Sequence, residues 1–340
     1  MLEKIVFKPE LIDTHCFIDV RSPHEFDEDH IPGAYNVPLL TDEERVEVGT
    51  IHKEIGLIEA RRKGLELTCS RFYWMVEKIN SIADGRQIII YCWRGGLRSS
   101  SVTVLLNMSG TAAQQLVGGY KAFRKIVIDY FELCSFSSPM IIMHGMTGTG
   151  KTVFINSLSS DKWSTIDLEG LANHRGSAFG ALGLSQYFTQ KHFETLLWDS
   201  FRKLKGDRPI VLEGESQRIG KYYLPGSLYQ KMGVSYRVWC YATVETRIKR
   251  LVAEYAFPEY QNDMLSSLER IKKKLSGSRY NVLKNSILSW NVEAIARGLV
   301  EGYYDRIYYK NRTWKADLEL ELENFRDAEN LLERFWNERA

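Results

Sequence analysis

The sequence predicts an α/β protein of two successive domains, each built on a mostly parallel sheet. Residues 88–91 and 140–144 carry this prediction, because both are short apolar runs with the length of a buried strand. Each run leads into a glycine-rich loop and then into a helical segment, and such alternation is typical of α/β folds. A chain of 340 residues has room for two domains of this kind.

The first domain is predicted to cover residues 1–134. A short apolar strand at 16–20 opens it, and Thr41 with Glu44 forms a capping box at the start of a helix. The sequence Gly118-Gly119-Tyr120 closes this half and is followed by one more helix.

A polar segment at 135–139 is the predicted linker, because its serines and final proline interrupt regular structure. The second domain is then predicted over 140–340. Near its end, residues 317–322 alternate between acidic and apolar side chains, which is typical of a half-buried edge strand. Asn324 is placed to cap a last amphipathic helix.

Composition excludes several classes of protein. The net charge is +2, so any basic surface for nucleic acid must be local. Five cysteines without a Cys-x-x-Cys pair argue against a disulfide framework and a structural zinc site. The N-terminus lacks the apolar run of a signal peptide, and no apolar stretch is long enough to span a membrane. We therefore expect a cytoplasmic protein with no membrane partner.

A cysteine follows the first of the two predicted strands and begins a loop that is suited to an anion. Successive backbone amides in such a loop converge on one point, and glycines permit the angles that this requires. The amides and two arginines favour a thiolate, so the cysteine is a candidate nucleophile and carrier of sulfur or selenium. The alternative is a buried cysteine that ends a core strand. The loop comprises Cys92, Trp93, Arg94, Gly95, Gly96, Leu97 and Arg98.

The second strand leads into a match to G-x-x-x-x-G-K-[ST], the phosphate-binding loop, or P-loop. Its amides would hold a di- or triphosphate, Lys151 would neutralise outer oxygens, and Thr152 would hold Mg²⁺. Glu213 ends a later strand, where it is either an acidic metal partner or a hydrogen-bonded acid without a metal. The motif identifies phosphates and does not establish ATP. It comprises Gly145, Met146, Thr147, Gly148, Thr149, Gly150, Lys151 and Thr152.

The first half resembles the rhodanese family. The sequences Asp19-Val20-Arg21-Ser22-Pro23 and His30-Ile31-Pro32-Gly33-Ala34 match its first signature, and Leu116-Val117-Gly118-Gly119-Tyr120 matches its closing signature. Asp19, His30 and Asn36 are interpreted as structural hydrogen-bonding residues. Common rhodanese loops have arginine five positions after cysteine, whereas Arg98 lies six after Cys92. This wider spacing is shared with cysteine phosphatases and predicts a loop that accepts a tetrahedral oxyanion.

A rhodanese-like domain followed by a P-loop NTPase-like domain resembles the tRNA 2-selenouridine synthase family. The motifs that carry the resemblance are the two loops, residues 174–180 and residues 213–220. The resemblance implies replacement of sulfur by selenium in wobble 2-thiouridine of tRNA, converting 5-methylaminomethyl-2-thiouridine to the 2-selenouridine. Selenophosphate is the implied donor, and the implied intermediate is an S-geranyl-2-thiouridine made from geranyl diphosphate. No tightly bound cofactor is implied, and an enzyme that supplies selenophosphate is a candidate partner.

The implied chemistry assigns roles to further residues. Arg175 or Arg218 would stabilise the leaving diphosphate, and His174 would assist proton transfer, unless it is a structural hydrogen-bonding residue. Cys92 would accept selenium from selenophosphate.

For tRNA, residues 270–284 contain six basic residues and no acidic one. Residues 303–315 interleave basic residues with aromatic ones, including Tyr303, Tyr304 and Trp314, that could stack on unpaired bases. The alternatives are a solvated helix face and aromatic side chains in a core. The candidate tRNA-binding residues are Lys272, Lys273, Lys274, Arg279, Arg306, Lys310 and Arg312.

Two other functions remain open at this point. One is a small-molecule kinase with a rhodanese-like regulatory module, because Arg247 and Arg250 are spaced like residues of a phosphoryl-transfer lid. The other is a non-catalytic protein that senses anions at its two loops.

Overall fold

The computed structural model describes residues 2–133, 136, 138–184, 189–204, 206 and 208–339, apart from the side chains of residues 309 and 311. The chain divides into two compact units, Met1–Leu133 with Phe188–Arg202, and Cys134–Tyr187 with Lys203–Ala340. The predicted linker 135–139 lies in part outside the described residues. Among the helices of the described residues, none is both long and apolar enough to cross a membrane.

The regular elements are as follows. The strands are β1 (Lys4–Ile5), β2 (His15–Asp19), β3 (Tyr35–Asn36), β4 (Gln87–Tyr91), β5 (Ala113–Leu116), β6 (Met140–Gly145), β7 (Ser164–Ile166), β8 (Ile210–Glu213), β9 (Arg218–Ile219), β10 (Tyr222–Tyr223), β11 (Tyr236–Tyr241) and β12 (Leu318–Glu321). The helices are α1 (Leu11–Thr14), α2 (Pro23–Glu28), α3 (Asp42–Glu54), α4 (Leu57–Thr68), α5 (Phe72–Ala83), α6 (Leu97–Met108), α7 (Gly119–Glu132), α8 (Lys151–Ser157), α9 (Leu168–Leu171), α10 (Gln190–Arg202), α11 (Gly226–Gly233), α12 (Val244–Tyr255), α13 (Gln261–Ile271), α14 (Gly277–Leu288), α15 (Val292–Leu299), α16 (Asp305–Asn311) and α17 (Phe325–Asn337).

The first unit is built on a five-stranded parallel sheet with the strand order β1-β5-β4-β2-β3. Its central strand β4 is buried from Ile88 to Tyr91, as its continuous apolar sequence predicts. The predicted capping box is present at the start of α3, where Thr41 and Glu44 exchange side-chain and backbone hydrogen bonds. Because parallel sheets bind ligands beyond the carboxyl ends of their strands, the residues directly after β4 occupy the expected position of a site.

Helix α10 belongs to the first unit, although it follows the phosphate loop in the sequence. Its Trp198 is almost fully buried and packs edge-on against Phe123 of α7 at a centroid distance of 5.5 Å. The buried Asp29 accepts hydrogen bonds from Thr195 Oγ1 of α10 at 2.9 Å and from Tyr120 OH of α7 at 2.7 Å. The fold of the first unit therefore includes residues from the range predicted as the second domain.

The second unit has a second five-stranded parallel sheet with the strand order β12-β11-β6-β8-β7. The predicted edge strand is β12, which pairs with β11 only. Asn324 caps α17 as predicted, because its Oδ1 accepts the backbone N–H groups of Arg326 and Asp327. The central strand β6 ends at Gly145 and delivers the phosphate loop to α8.

Helices α13 to α16 form a separate apolar cluster in the second unit, around Leu268, Leu283 and Leu299. A π-helical turn, Val300–Tyr304, joins α15 to α16 and contributes the buried side chains of Tyr303 and Tyr304 to this cluster. The predicted fold class, two α/β domains with parallel sheets, is confirmed.

Candidate functional site

Cys92 follows β4 directly and is buried, with 3 % of its surface exposed. Its Sγ lies 3.2 Å from Ser99 Oγ in the first turn of α6, and either atom can be the donor. Ser99 Oγ also accepts a hydrogen bond from Gln115 Nε2 at 2.8 Å. The thiol therefore lies against a hydroxyl group that a neighbouring strand holds in place.

The backbone of the cysteine loop is supported from the rhodanese closing signature. Gly95 has a φ of 65°, and a Cβ atom there would lie 2.6 Å from the carbonyl oxygen of Leu116, so only glycine fits. Gly96 differs from the expectation, because its φ of −95° is open to any residue. Tyr120 N donates to the carbonyl oxygen of Cys92 at 2.9 Å, which fixes the start of the loop.

The two arginines of the loop have different environments. Arg98 makes two hydrogen bonds to Glu25, of 2.6 and 3.3 Å, so its guanidinium is held in one orientation. Burial opposes ionisation of Glu25, but the hydrogen bonds and charge of Arg98 outweigh burial, and the pKa of Glu25 is lowered. Arg94 is exposed and makes no side-chain hydrogen bond or ion pair to another described residue. Arg98 is thus the positive charge that an ion pair holds in place, and Arg94 is the exposed one.

The residues of the first rhodanese signature are structural, as predicted. Asp19 forms a fully buried ion pair with Arg21 at 2.6 Å. Asn36 Nδ2 donates to the carbonyl oxygens of Asp19 and Arg21, each at 3.0 Å. The ring of His30 stacks on Phe26.

A cleft of about 850 Å³ adjoins the first turn of α6 and lies between that turn and helices α3 and α4. Apolar side chains form its walls, among them Leu57, which is 50 % exposed. Its lining includes four arginine or lysine residues and no acidic one, although helices α3 and α4 carry both signs of charge. The four are Arg45, Lys53, Arg61 and Arg98.

In the second unit, the predicted phosphate loop connects β6 to α8 and lines a cleft of about 740 Å³. Gly148 has a φ of 81°, and a Cβ atom there would lie 3.0 Å from the Arg247 carbonyl oxygen. Lys151 Nζ donates to the carbonyl oxygen of Gly145 at 3.1 Å, folded back over the loop. Helix α8 begins at Lys151, so its first amides are directed at the loop.

Four carboxylates line this cleft, those of Asp167, Glu169, Glu215 and Glu254, and the sequence analysis assigned a role to none of them. Thr152 Oγ1 donates to Glu169 Oε2 at 3.2 Å. Burial and the charge of Glu215 raise the pKa of Glu169. Glu169 follows β7 in the short helix α9, and an acidic residue just after a strand was the available signal.

Glu213, the predicted acidic partner, is fully buried and does not line the cleft. Its Oε2 accepts the backbone N–H of Leu168 at 2.7 Å. Burial, followed by the charge of Asp167, raises the pKa of Glu213 to about 8. These contacts favour the alternative of a hydrogen-bonded acid at a strand end.

The donor set beside the loop fits Mg²⁺. Thr152 and Glu169 offer oxygen atoms, which Mg²⁺ prefers. Among the described residues, no group of three or more His, Cys, Asp or Glu side chains could hold a metal ion. An ion at Thr152 would therefore be completed by oxygens of a phosphate ligand and by water, as Mg²⁺ commonly is.

Of the other residues predicted for this site, some line the cleft and one lies outside it. His174 and Arg175 line the cleft, whereas Arg218 lies outside it on the β9–β10 hairpin and donates to the carbonyl oxygen of Gly220 at 2.9 Å. Arg175 pairs with Glu254 at 2.6 Å. Burial lowers the pKa of His174, and the charges of Arg270 and Arg175 lower it further.

The two arginines of the lid-like segment in α12 hold the phosphate loop. Arg247 Nε donates to the carbonyl oxygen of Thr147 at 2.9 Å, and its Nη2 pairs with Asp305 at 2.5 Å. Arg250 Nη1 donates to the carbonyl oxygen of Thr149 at 2.5 Å.

The candidate tRNA-binding residues do not share one environment. Lys272, Lys273 and Lys274 form an exposed 3₁₀ turn after α13, and Arg306 and Lys310 are exposed on α16. Arg279 is partly buried, and Arg312 pairs with Glu319 at 2.6 Å over the ring of Trp239. Of the two alternatives for the aromatic residues of 303–315, the structure favours the core for Tyr303 and Tyr304, because both are buried in the helical cluster.

Comparison with known proteins covers both halves of the chain. A family model described as the tRNA 2-selenouridine synthase AAA domain matches residues 138–338, and a rhodanese-like domain model matches residues 7–126. Three curated proteins with the name tRNA 2-selenouridine synthase align along nearly the full length. The protein of Pseudomonas syringae pv. syringae is 33 % identical over 333 residues, which is 88 % of this chain and 89 % of that protein. The protein of Pseudomonas syringae pv. tomato is 34 % identical over 88 % of this chain and 89 % of its own length. That of Marinobacter nauticus is 34 % identical over 88 % of both chains.

Proposed function

Because this chain belongs to the tRNA 2-selenouridine synthase family, we propose that it replaces sulfur by selenium in the wobble 2-thiouridine of tRNA. In the proposed route, geranyl diphosphate first alkylates the sulfur, and selenophosphate then supplies selenium. The observation that carries the proposal is that one chain contains both a cysteine loop and a loop with the phosphate-binding motif, each at the end of a central parallel strand. Each loop is suited to one of the two steps.

Geranyl transfer is assigned to the cleft of the phosphate loop. The carbon–oxygen bond of geranyl diphosphate breaks, the base sulfur forms a bond to that carbon, and the base loses the proton at N3. The loop amides and Lys151 hold the departing diphosphate, and Arg175, which is paired with Glu254, lies at the cleft wall. Mg²⁺, when bound by Thr152 and Glu169, would neutralise part of the diphosphate charge. His174, which lines the cleft, is the candidate acceptor of the proton.

A small apolar cavity of about 50 Å³ next to this cleft supports a ligand with an apolar group beside its diphosphate, as in a prenyl diphosphate. The cavity and the cleft share four lining residues, and beyond them the cavity is lined mainly by apolar side chains. An apolar wall suits a hydrocarbon chain, whereas a nucleotide base requires hydrogen-bonding partners. The shared residues are Thr147, Ser177, Leu251 and Tyr255.

Selenium insertion is assigned to the cysteine loop. A sulfur that is doubly bonded to the base is a poor leaving group, and alkylation converts it into a thiol that leaves readily. The cleft beside α6 has apolar walls for the geranyl chain and a basic lining for the phosphates of the tRNA. The buried Cys92 does not line this cleft, but the cleft borders the cysteine loop at Leu97 and Arg98, which supports approach of the alkylated base from this side.

The contacts of α12 weigh against a kinase. A lid arginine of a kinase must reach the transferred phosphoryl group. Here Arg247 is buried between Asp305 and the loop backbone, and Arg250 is bonded to Thr149. Both arginines therefore serve to shape the loop.

Reconstitution tests the proposal directly. Thiolated tRNA is incubated with the protein, geranyl diphosphate and selenophosphate, and the nucleosides are separated by mass spectrometry. We expect S-geranyl-2-thiouridine with geranyl diphosphate alone and 2-selenouridine when both substrates are present. Unchanged 2-thiouridine in both reactions, together with consumption of ATP on a small acceptor, would replace this function by the kinase.

A further inference from the structure

We infer, on the basis of the proposed function, that Cys92 attacks the phosphorus atom of selenophosphate. Cys92 becomes a phosphocysteine, and selenide is released beside the base as this bond forms. The loop then acts as a phosphoryl-transfer site. This role differs from the expectation that Cys92 itself carries selenium.

The first support is the geometry of the anion site. Arg98 lies six positions after Cys92, the spacing shared with cysteine phosphatases, and Glu25 orients it through two hydrogen bonds. Helix α6 begins at Leu97, within the last two residues of the loop, so the amides of its first turn have no partner within the helix. Such amides bind the oxygens of a phosphoryl group. A single selenium atom would leave them unused.

The second support is the contact between Cys92 and Ser99. In a phosphoryl-transfer cycle the thiolate is first the nucleophile and later the leaving group, and a hydroxyl donor stabilises it in both states. Ser99 Oγ lies 3.2 Å from Cys92 Sγ, with either atom able to donate, and also lies 3.1 Å from the Gly96 carbonyl oxygen. It accepts from Gln115 Nε2 at 2.8 Å. Once Cys92 is a thiolate, only Ser99 can donate across their contact. The contact lies inside the loop, where it is shielded from water, since Ser99 is fully buried.

The third support is the electron balance. Selenium in selenophosphate is at the selenide level, as it is in the product. If the Cys92 thiolate attacked selenium instead, a sulfur–selenium bond would form and the phosphorus–selenium bond would break with its electron pair on phosphorus. Phosphorus would then be reduced, and the proposed reaction contains no oxidant that would return it to phosphate. Attack at phosphorus changes no oxidation state.

The complete step is balanced as follows. The Cys92 thiolate forms a sulfur–phosphorus bond, and the phosphorus–selenium bond breaks with its electron pair on hydroselenide. Hydroselenide attacks C2 of the alkylated base, and the geranyl thiolate leaves with the proton. Water then hydrolyses the phosphocysteine, inorganic phosphate departs, and the Cys92 thiolate returns, with Ser99 as hydrogen-bond donor.

The test is a rapid-quench reaction of the full chain with S-geranylated RNA and selenophosphate, followed by intact-protein and peptide mass spectrometry. We expect one phosphoryl group on Cys92. Ser99→Ala should slow its hydrolysis by roughly a hundredfold, the usual loss for one donor at a reacting group, so that the phosphorylated form accumulates. Ser100→Ala is the matched control, because the Ser100 hydroxyl bonds to the Leu97 carbonyl oxygen and lies outside the loop. Orthovanadate should inhibit selenium insertion and leave geranyl transfer unchanged.

The outcomes separate this inference from the proposed function. If the protein inserts selenium but neither the wild type nor Ser99→Ala carries phosphate, the inference is overturned and the function stands. Selenium bound to Cys92 would also overturn it. If the wild type leaves the S-geranylated RNA unchanged, the proposed function itself fails.

Discussion

Thr195 Oγ1 donates a hydrogen bond to Asp29 Oδ2 at 2.9 Å, although the two residues are 166 positions apart. The same carboxylate oxygen accepts from Tyr120 OH, and Tyr120 N donates to the carbonyl oxygen of Cys92. Helix α10 is therefore connected, through Asp29 and Tyr120, to the start of the cysteine loop. This helix is part of the structure that holds Cys92.

Replacing Thr195 by valine should destabilise the first unit by about 1–3 kcal/mol, because it removes one donor from the buried carboxylate of Asp29. Hydrogen exchange of peptides from β4 measures this loss within the full chain. Ser200→Ala, on the same helix, is the control, since Ser200 Oγ bonds to the carbonyl oxygen of Leu196 and to no other described residue. Equal protection of β4 from hydrogen exchange in both variants would show that the Thr195–Asp29 contact does not contribute to the stability of the first unit.

Replacing Cys92 by serine should abolish selenium insertion and leave geranyl transfer measurable, because the two reactions are assigned to different loops. Nucleoside mass spectrometry measures both products in one assay. Cys69→Ser is the control, since Cys69 is an exposed free cysteine outside both clefts. Normal selenium insertion by the Cys92 variant would remove the cysteine from the mechanism.

Replacing Lys151 by alanine should block geranyl transfer, because its ammonium group would contact the diphosphate. We expect a loss of at least about a hundredfold in rate, typical of removing one charge-stabilising group. Thr152→Ala should have a similar effect through loss of Mg²⁺. The control is Lys162→Ala, whose side chain pairs with Glu333 on the surface. Full activity of the Lys151 variant would leave the loop as a structural turn.

Replacing Leu57 by glutamine should weaken binding of S-geranylated RNA by about tenfold, because the geranyl chain would lose apolar contact in the cleft beside α6. Binding of the unalkylated RNA should not change. Ile58→Gln is the matched control, since Ile58 is the next residue of α4, is more exposed than Leu57, and does not line the cleft. If the two variants bind both RNAs alike, the cleft does not hold the geranyl chain.

Replacing Lys272, Lys273 and Lys274 by alanine should flatten the salt dependence of tRNA binding and weaken all tRNAs similarly. Each phosphate contact contributes about 0.7–0.9 to the slope of log affinity against log salt. Filter binding at several salt concentrations measures it. The charge-matched control is a triple variant of three lysines that are far apart in the sequence. It should keep the salt dependence of the wild type. Its substitutions are Lys162→Ala, Lys221→Ala and Lys249→Ala. Equal slopes in the two variants would mean that the 3₁₀ turn is only a solvated surface.

The two loops could be predicted because each is encoded by consecutive residues between a strand and a helix. Their residue types indicate the chemistry, and both loops lie at the predicted strand ends. The predicted caps at Thr41 and Asn324 were confirmed for the same reason, since capping depends on neighbours within three positions. The aromatic residues Tyr303 and Tyr304 could not be assigned in this way, because burial depends on which helices pack around them.

What the sequence determined by itself was the fold class and the location of Cys92 and of the phosphate loop. Only the tertiary structure decided which further groups surround them. It placed Glu169 against Thr152, left Glu213 outside the cleft, and brought α10 from beyond the phosphate loop into the first unit. The physical reason is that a loop's backbone follows from local residues, whereas its electrostatic surroundings come from side chains distant in sequence. Packing of strands and helices alone brings those side chains together.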